Sequence, residues 1–169
     1  MIDINQARLP EDLRCVQDLL RQYLDWVGNQ LRKVNNEVVD IDTMMHRSMS
    51  ELDAYMPLEG RLLLAQYHSS SAGIVFMKKS RHDSCEIKRM YVVPEFRSCG
   101  IGQALLDHVI EDARIEGYSY ILLDTVEFMQ QAQSLYRSRG FKQIDPYPES
   151  EMRDSLSKYL MYMSLDLGN

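Results

Sequence analysis

One stretch of the sequence has the pattern of a binding site: EIKRMYVVPEFRSCGIGQALL, residues 86–106. A predicted strand ends at Pro94, which has no N–H for a sheet ladder, and Gly100 and Gly102 bracket the start of a predicted helix. A turn of this kind directs several backbone N–H groups at one point, with the positive end of the helix dipole behind them. Arg97 adds a fixed positive charge beside it. The stretch therefore predicts a site for phosphate oxygens.

One class of site that uses a strand, a glycine-rich turn and a helix is the dinucleotide fold, with its fingerprint G-x-G-x-x-G. Gly100 and Gly102 match its first two glycines, and Asp124 lies at about the distance of its acidic residue. The third glycine is missing, because Leu105 stands there and is too bulky for close helix–strand contact. The residues PEFRS also separate the strand from the glycines. A nucleotide-binding oxidoreductase is therefore the weaker alternative.

A second motif follows about 35 residues later and points to another class of protein. The first stretch contains V-x-P-x-x-R-x-x-G-x-G followed by x-x-L-L, and it resembles the acetyl-CoA-binding motif of the GNAT N-acetyltransferase superfamily. The second, AQSLYRSRGF over residues 132–141, is similar to that family's A-x-x-L-Y-x-x-x-G-F. Two motifs in the same order make the resemblance specific over about residues 62–144, whereas the flanks match loosely.

The resemblance implies that acetyl-CoA is the cosubstrate. The motif strand would diverge from the next strand, and the pantetheine arm would bind in the gap. The N–H of Met90 would then meet the developing oxyanion, and the N–H of Val92 would meet the pantetheine. The pyrophosphate would lie beside Arg97 on the N–H groups of Ser98, Cys99, Gly100, Ile101 and Gly102.

The resemblance also implies two catalytic side chains. Tyr136 matches the tyrosine that protonates the leaving thiolate, although a half-buried tyrosine bonded to water is the alternative. Glu86 stands where some histone-type members carry a glutamate that draws a proton from the amine through a water. An exposed charge at the strand end explains Glu86 equally well. Asp124 could instead bind a cationic group of the substrate, or it could be a turn or cap residue.

Two positions depart from the family pattern. Ser98 follows Arg97 where relatives usually have glycine, and serine would cost stability if the backbone there needs a positive φ. Met129, seven residues before Tyr136, stands where many relatives carry an asparagine that contacts the cofactor. We expect these departures to weaken cofactor binding rather than abolish it.

Predicted strands and helices occur in mixed order along the chain around these residues. Hydrophobic periodicity predicts strands over residues 1–8, 61–67, 74–79, 86–93, 119–126, 141–144 and 158–167, with SSSAG as the turn of a hairpin. It predicts helices over residues 11–27, 42–54, 100–116 and 128–139. Gly28 is predicted to end the first helix, and Asp42 or Thr43 to cap the second. This order predicts a single α/β domain over residues 1–169, and the resemblance implies the GNAT fold, a mixed, mostly antiparallel central sheet of about six or seven strands with helices on both faces.

Composition restricts the class of protein further. The 169 residues are 45% hydrophobic and 26% charged, which is typical of globular domains, and no apolar run is long enough to predict a membrane span. The N-terminus lacks the pattern of a secretory signal, and a net charge of −6 argues against a nucleic-acid surface. The three cysteines have no metal-like spacing, and no two histidines have the i, i+4 spacing of a helical metal site. We therefore expect free thiols, no metal and a cytoplasmic location.

These observations predict an acetyl-CoA-dependent N-acetyltransferase that transfers an acetyl group to a primary amine by direct attack on the thioester. The alternative is a non-catalytic acyl-CoA-binding module of the same fold, acting as a sensor or interaction protein. The acceptor would be an amine of a small molecule or peptide, held by residues 11–54 and 145–157, where no motif identifies it. The resemblance also allows a homodimer through the sheet edge at residues 159–167.

Overall fold

A seven-stranded sheet forms the centre of the computed structural model, which describes residues 1–58, 60–150 and 156–168. In chain order its strands are β1 (Ile2–Gln6), β2 (Arg61–Tyr67), β3 (Ser70–Arg81), β4 (Ser84–Val92), β5 (Tyr120–Val126), β6 (Lys142–Ile144) and β7 (Leu160–Asp166). They lie in the spatial order β1-β2-β3-β4-β5-β7-β6. Neighbouring strands are antiparallel except β4 and β5, which are parallel. The predicted mixed, mostly antiparallel sheet is confirmed.

Helices cover both faces of this sheet. In chain order they are α1 (Leu13–Asn35), α2 (Ile41–Ser50), α3 (Ile101–Ile115) and α4 (Gln130–Ser138). The buried leucines of α1 pack with Leu62, Ile74 and Phe76 on one face, whereas those of α3 pack with Val75 and Met77 on the other. Successive strand residues point to opposite faces, and β3 therefore contributes alternately to the two cores. None of the described helices has the length and apolar character that a membrane span requires.

Helix α1 ends eight residues later than the sequence predicted, because it runs through Gly28 to Asn35. The helical stripe of buried residues continues past the glycine with Leu31, which is fully buried. A Cβ at Gly28 would lie 2.8 Å from Cδ1 of Ile41, so the glycine makes room for the start of α2. The predicted stop at Gly28 was wrong, and the helix ends instead at Asn36, whose φ of 55° is left-handed.

Two other local predictions were also wrong in detail. Helix α2 is capped by Asp40, whose side chain accepts a hydrogen bond from the Thr43 N–H at 3.0 Å, and not by Asp42 or Thr43. The hairpin between β2 and β3 turns at His68 and Ser69 rather than over SSSAG. Both residues have a positive φ, 47° and 67°, which suits a two-residue turn between antiparallel strands.

A bulge in β4 shapes the centre of the molecule. Phe76 pairs with Lys88 and Ile74 pairs with Tyr91, so two steps along β3 match three along β4. The extra step includes Arg89, whose φ is 52°. The bulge puts Ile87 in the same core as Met90 and Val92, whereas Tyr91, four residues later, packs in the core on the opposite face.

The bulge also coincides with the place where the sheet opens. Strand β4 pairs with β5 only from Ser84 to Ile87, opposite Tyr120 to Leu123. Beyond Ile87 no further pairs join the two strands, and a gap opens between them. Residues 151–155 of the predicted late loop lie outside the described residues.

Candidate active site

A cleft of about 780 Å³ lies at the gap between β4 and β5, and we call it the main cleft. Strand β4, the turn before α3, the start of α4 and helix α1 all contribute to its walls. The cleft-lining residues include Tyr23, Trp26, Met90, Val92, Arg97, Ser98, Gly100, Ile101, Gly102, Met129 and Tyr136. It therefore brings together most residues that the sequence singled out.

The strand edge in the main cleft carries backbone groups that β3 does not use. The Val93 N–H donates to the Ala72 carbonyl at 2.9 Å, which shows that Val93 faces β3. Since N–H groups alternate along a strand, those of Val92 and Met90 point away from β3 and into the gap. The Val92 carbonyl confirms this direction, because it accepts a hydrogen bond at 3.2 Å from Arg97 Nε.

The phosphate turn, residues 98–102, forms one end of the main cleft. Ser98 has a φ of 66° and Gly100 a φ of 84°, so the condition under which serine is strained is met. The first N–H groups of α3 have no acceptor within the helix, and their residues line the cleft. A Cβ at Gly102 would lie 3.5 Å from Leu135 and 3.8 Å from Met90, which are ordinary van der Waals distances, so a small side chain would fit at this position.

Cys99 is exposed in this turn, and like Cys15 and Cys85 it is a free thiol. In the described part of the chain, no cluster of histidine, cysteine, aspartate or glutamate side chains could hold a metal ion.

Arg97 lines the main cleft, but its side chain turns toward helix α1. Its guanidinium carbon lies 5.4 Å from the ring centre of Trp26 and 6.0 Å from that of Tyr91. These distances are typical of cation–π contacts. The positive charge expected beside the phosphate turn is thus held on an aromatic wall of the same cleft.

Tyr136 stands in α4 and lines the main cleft together with the phosphate turn. Its side chain is buried, and its hydroxyl lies 3.8 Å from the Met90 sulfur. Burial raises the pKa of Tyr136 well above its ordinary value, and Tyr23 and Asp124 act in the same direction. The hydroxyl is therefore protonated at neutral pH. The alternative of a half-buried tyrosine does not fit this burial.

Glu86 lies in the interior, only 1% exposed, so it is not a charge on an exposed strand end. Its Oε1 lies 2.6 Å from Lys88 Nζ and accepts a hydrogen bond from the Tyr147 hydroxyl at 2.7 Å. Burial raises the pKa of Glu86, opposed by Lys88 and Tyr147. Glu86 does not line the main cleft. Its part as a general base stays a prediction.

Asp124 belongs to the same buried network but reaches the gap. Its Oδ2 accepts a hydrogen bond from the Ser150 hydroxyl at 2.8 Å and lies 3.5 Å from Lys88 Nζ. Lys88 therefore joins the two carboxylates of Glu86 and Asp124. A small cavity of about 50 Å³, which we call the slot, lies between Asp124 and Tyr136. It shares Tyr136 and other walls with the main cleft.

Sequence reasoning missed Lys88, Tyr147 and Ser150 as members of this network. A signal for Lys88 existed, because it stands two residues after Glu86 and strand side chains two apart share a face. No signal existed for Tyr147 and Ser150, whose contacts with Glu86 and Asp124 depend on how the late loop folds back. Met129 lines both cavities, and the Thr125 hydroxyl lies 3.5 Å from its sulfur.

Comparison with known proteins agrees with this geometry. A family model described as acetyltransferase (GNAT) domain matches residues 59–143. A Schizosaccharomyces pombe protein named as an uncharacterized N-acetyltransferase is 31% identical over 99% of this chain and 96% of its own length.

Solved structures share the fold. An acetyltransferase of GNAT family from Staphylococcus aureus superposes with a TM-score of 0.75 at 22% identity, covering 99% of each chain. A putative acetyltransferase from Salmonella typhimurium, whose structure includes its cofactor acetyl-CoA, gives a TM-score of 0.68 at 18% identity, covering 100% of this chain and 95% of its own.

Proposed function

Since the chain belongs to the GNAT acetyltransferase family, we propose that it transfers the acetyl group of acetyl-CoA to a primary amine. The acceptor is an amine of a small molecule or a peptide. The observation that carries the proposal is the main cleft beside the gap between β4 and β5, which the phosphate turn and Tyr136 both line. Acetyl-CoA needs a site for its phosphates and a site for its thioester, and one cleft offers groups for both.

The cofactor side of the proposed site consists of backbone donors. The N–H groups of Ser98, Gly100, Ile101 and Gly102 hold the pyrophosphate, because a helix N-terminus favours anions. The N–H of Cys99, which the sequence also predicted for this role, donates instead to the Phe96 carbonyl at 3.4 Å. The Val92 N–H, which points into the gap, binds the pantetheine arm. The Met90 N–H donates to the carbonyl oxygen of the thioester. Removing such an oxyanion donor costs about 3–4 kcal/mol in enzymes where it has been measured.

The reaction is direct attack without a covalent enzyme intermediate. The neutral amine nitrogen forms a bond to the carbonyl carbon of the thioester, and the Met90 N–H stabilises the negative charge on the oxygen. The carbon–sulfur bond then breaks, and the sulfur leaves with the electron pair. Tyr136 gives its proton to the sulfur and recovers one from the new amide nitrogen. Its buried hydroxyl is protonated at neutral pH, as a general acid must be before it acts.

Calorimetric titration with acetyl-CoA tests the cofactor site, with NAD(P)H as the control for a dinucleotide site. Two variants form a matched pair: Gly100→Glu puts a side chain in the phosphate turn, and Gly117→Glu puts one at a similar φ outside it, 81° against 84°. Both substitutions put a side chain on left-handed backbone and cost similar stability, so only Gly100→Glu should lose acetyl-CoA binding. Equal loss in both variants would contradict the assignment of the phosphate turn.

Release of CoA in the presence of amines tests the transfer itself. We expect the wild-type protein to acetylate at least one class of primary amine. Tight binding of acetyl-CoA without transfer to any amine would instead support the alternative, a non-catalytic module that senses acyl-CoA or interacts with a partner.

A further inference from the structure

The slot lies where an acceptor must meet the thioester. Strand β5 contributes Asp124, α4 contributes Tyr136, α1 contributes Tyr23 and β4 contributes Lys88 to its walls. Tyr23 and Tyr136 also line the main cleft, so a group in the slot adjoins a substrate in the cleft. Glu86, in contrast, lines neither cavity.

One carboxylate oxygen of Asp124 is available to a ligand. Both of its contacts, with the Ser150 hydroxyl and with Lys88 Nζ, are made by Oδ2. No described residue contacts Oδ1, and the side chain is 14% exposed at the slot. The network therefore fixes the orientation of the carboxylate and leaves its second oxygen for an incoming donor.

Asp124 carries the carboxylate among the described residues that line the slot. Its partner Lys88 is held closer to Glu86, since Lys88 Nζ lies 2.6 Å from Glu86 Oε1 and 3.5 Å from Asp124 Oδ2. Arg89 also lines the slot, but its Nε and Nη2 donate to the Ser48 hydroxyl on α2, at 3.3 and 3.2 Å. Its guanidinium is thus directed toward α2 rather than toward Asp124.

The size of the slot limits what can enter. At about 50 Å³ it holds little more than one or two water-sized groups. An ammonium with its adjoining methylene fits this volume. A branched carbon, or an α-carbon that also carries a carboxylate, needs more room and would bring an anion toward Asp124.

We propose that Asp124 binds the ammonium group of the acceptor and that the acceptor is an unbranched primary alkylamine. This inference rests on the proposed acetyl transfer. Asp124 Oδ1 accepts a hydrogen bond from the ammonium and takes one of its three protons, which later passes to solvent. The neutral nitrogen then attacks the thioester carbon; its second proton goes to Tyr136, which has protonated the sulfur, and the third stays on the amide. The side chain of a peptide lysine and a free alkylamine share this chemistry.

The test is a set of initial rates with matched amines. Butylamine and sec-butylamine differ only in branching at the carbon next to nitrogen, alanine adds a carboxylate there, and a lysine-containing peptide with a blocked N-terminus presents the same amine on a polypeptide. We expect butylamine or the lysine peptide to be acetylated, and sec-butylamine and alanine to be poor acceptors. The ratio of butylamine to peptide distinguishes the two sources. A preference for sec-butylamine or alanine would overturn the inference without touching the proposed acetyl transfer.

Asp124→Asn tests the residue directly. Loss of a hydrogen bond to a charged group should lower kcat/KM for the amine about 10- to 100-fold, while acetyl-CoA binding is unchanged. KM should rise because the ammonium is bound less well, and kcat should fall because asparagine cannot take the proton. Asp124→Glu should recover part of the loss, and Glu86→Gln should affect KM less than Asp124→Asn does. If Asp124→Asn does not fold, Ser150→Ala frees Oδ2 without removing charge and should still raise KM for the amine. Wild-type kinetics in the folded variant would overturn the inference, whereas a wild-type protein that acetylates no amine would overturn the proposed function.

Discussion

The two sides of the gap between β4 and β5 differ in the chemical groups that form them. The proposed cofactor side consists of main-chain groups, the N–H groups of Met90 and Val92 and those of the phosphate turn. The proposed acceptor side consists of side chains: Glu86, Lys88, Asp124, Tyr147 and Ser150. Backbone sites depend on φ, and side-chain sites depend on charge and burial. Substitutions on the two sides should therefore fail in different ways.

The largest effect is expected where the two sides meet, at Tyr136. Tyr136→Phe removes only a hydroxyl whose one described contact is the Met90 sulfur, so the fold and the backbone donors stay intact. Loss of a general acid should lower kcat about 100-fold or more. Acetyl-CoA affinity, measured by calorimetry, should not change. A wild-type kcat in this variant would show that the Tyr136 hydroxyl is not the general acid.

On the acceptor side, the buried carboxyl of Glu86 should make the stability of the protein depend on pH. Burial raises the pKa of Glu86, so the folded state holds the proton of this carboxyl to a higher pH than the unfolded state does. The folded state then binds more protons, and this contribution to the free energy of unfolding is lost as pH rises above the ordinary value of 4.5. Glu86→Gln cannot ionise. We expect the wild type to lose stability relative to this variant as the pH rises.

Denaturant unfolding at a series of pH values measures this difference. Glu95→Gln removes one exposed carboxylate and controls for the change in net charge. If the ion pair with Lys88 outweighs desolvation, the sign reverses and the Gln variant loses stability relative to the wild type as pH rises. That outcome would mean that the ionised Glu86, paired with Lys88, stabilises the folded protein rather than destabilising it.

The same contrast explains what the sequence could predict. The phosphate turn has left-handed backbone at Gly100, and this glycine leaves a readable motif together with Gly102. The strands and the two faces of the sheet were readable because their apolar residues alternate. The bulge at Arg89 was not, since no residue type marks it and its φ is fixed by the pairing of β4 with β3. Nor was the acceptor side, because Tyr147 and Ser150 meet Glu86 and Asp124 only through tertiary folding.

Gly28 shows how the same residue type can mislead. A glycine after a helical stripe predicts a helix end, but here tertiary packing decides the matter, since Ile41 occupies the space beside it. Side-chain crowding of this kind leaves no local signature.

A smaller effect is expected at Arg97 and Trp26, which test whether Arg97 contacts the cofactor or only packs against helix α1. If the guanidinium mainly holds helix α1, a double-mutant cycle of Arg97→Ala and Trp26→Ala should give a coupling of about 0.5–1 kcal/mol in the free energy of unfolding. Arg97→Ala should then weaken acetyl-CoA binding no more than Trp26→Ala does. A selective loss of acetyl-CoA affinity in Arg97→Ala would instead support the contact with pyrophosphate expected from the sequence.

The smallest effect concerns a pair of serines with nearly the same backbone, Ser98 in the phosphate turn and Ser69 in the hairpin, whose φ values are 66° and 67°. Glycine relieves left-handed strain but gives up chain entropy, so Ser98→Gly and Ser69→Gly should each raise the free energy of unfolding by about 0.5 kcal/mol. Thermal unfolding measures this directly. If the cofactor side depends on backbone geometry, Ser98→Gly should also tighten acetyl-CoA binding, because the turn then adopts its conformation at less cost. Ser69→Gly lies outside the cleft and should leave affinity unchanged. Tighter binding in both variants would mean that affinity follows global stability and not the geometry of the turn.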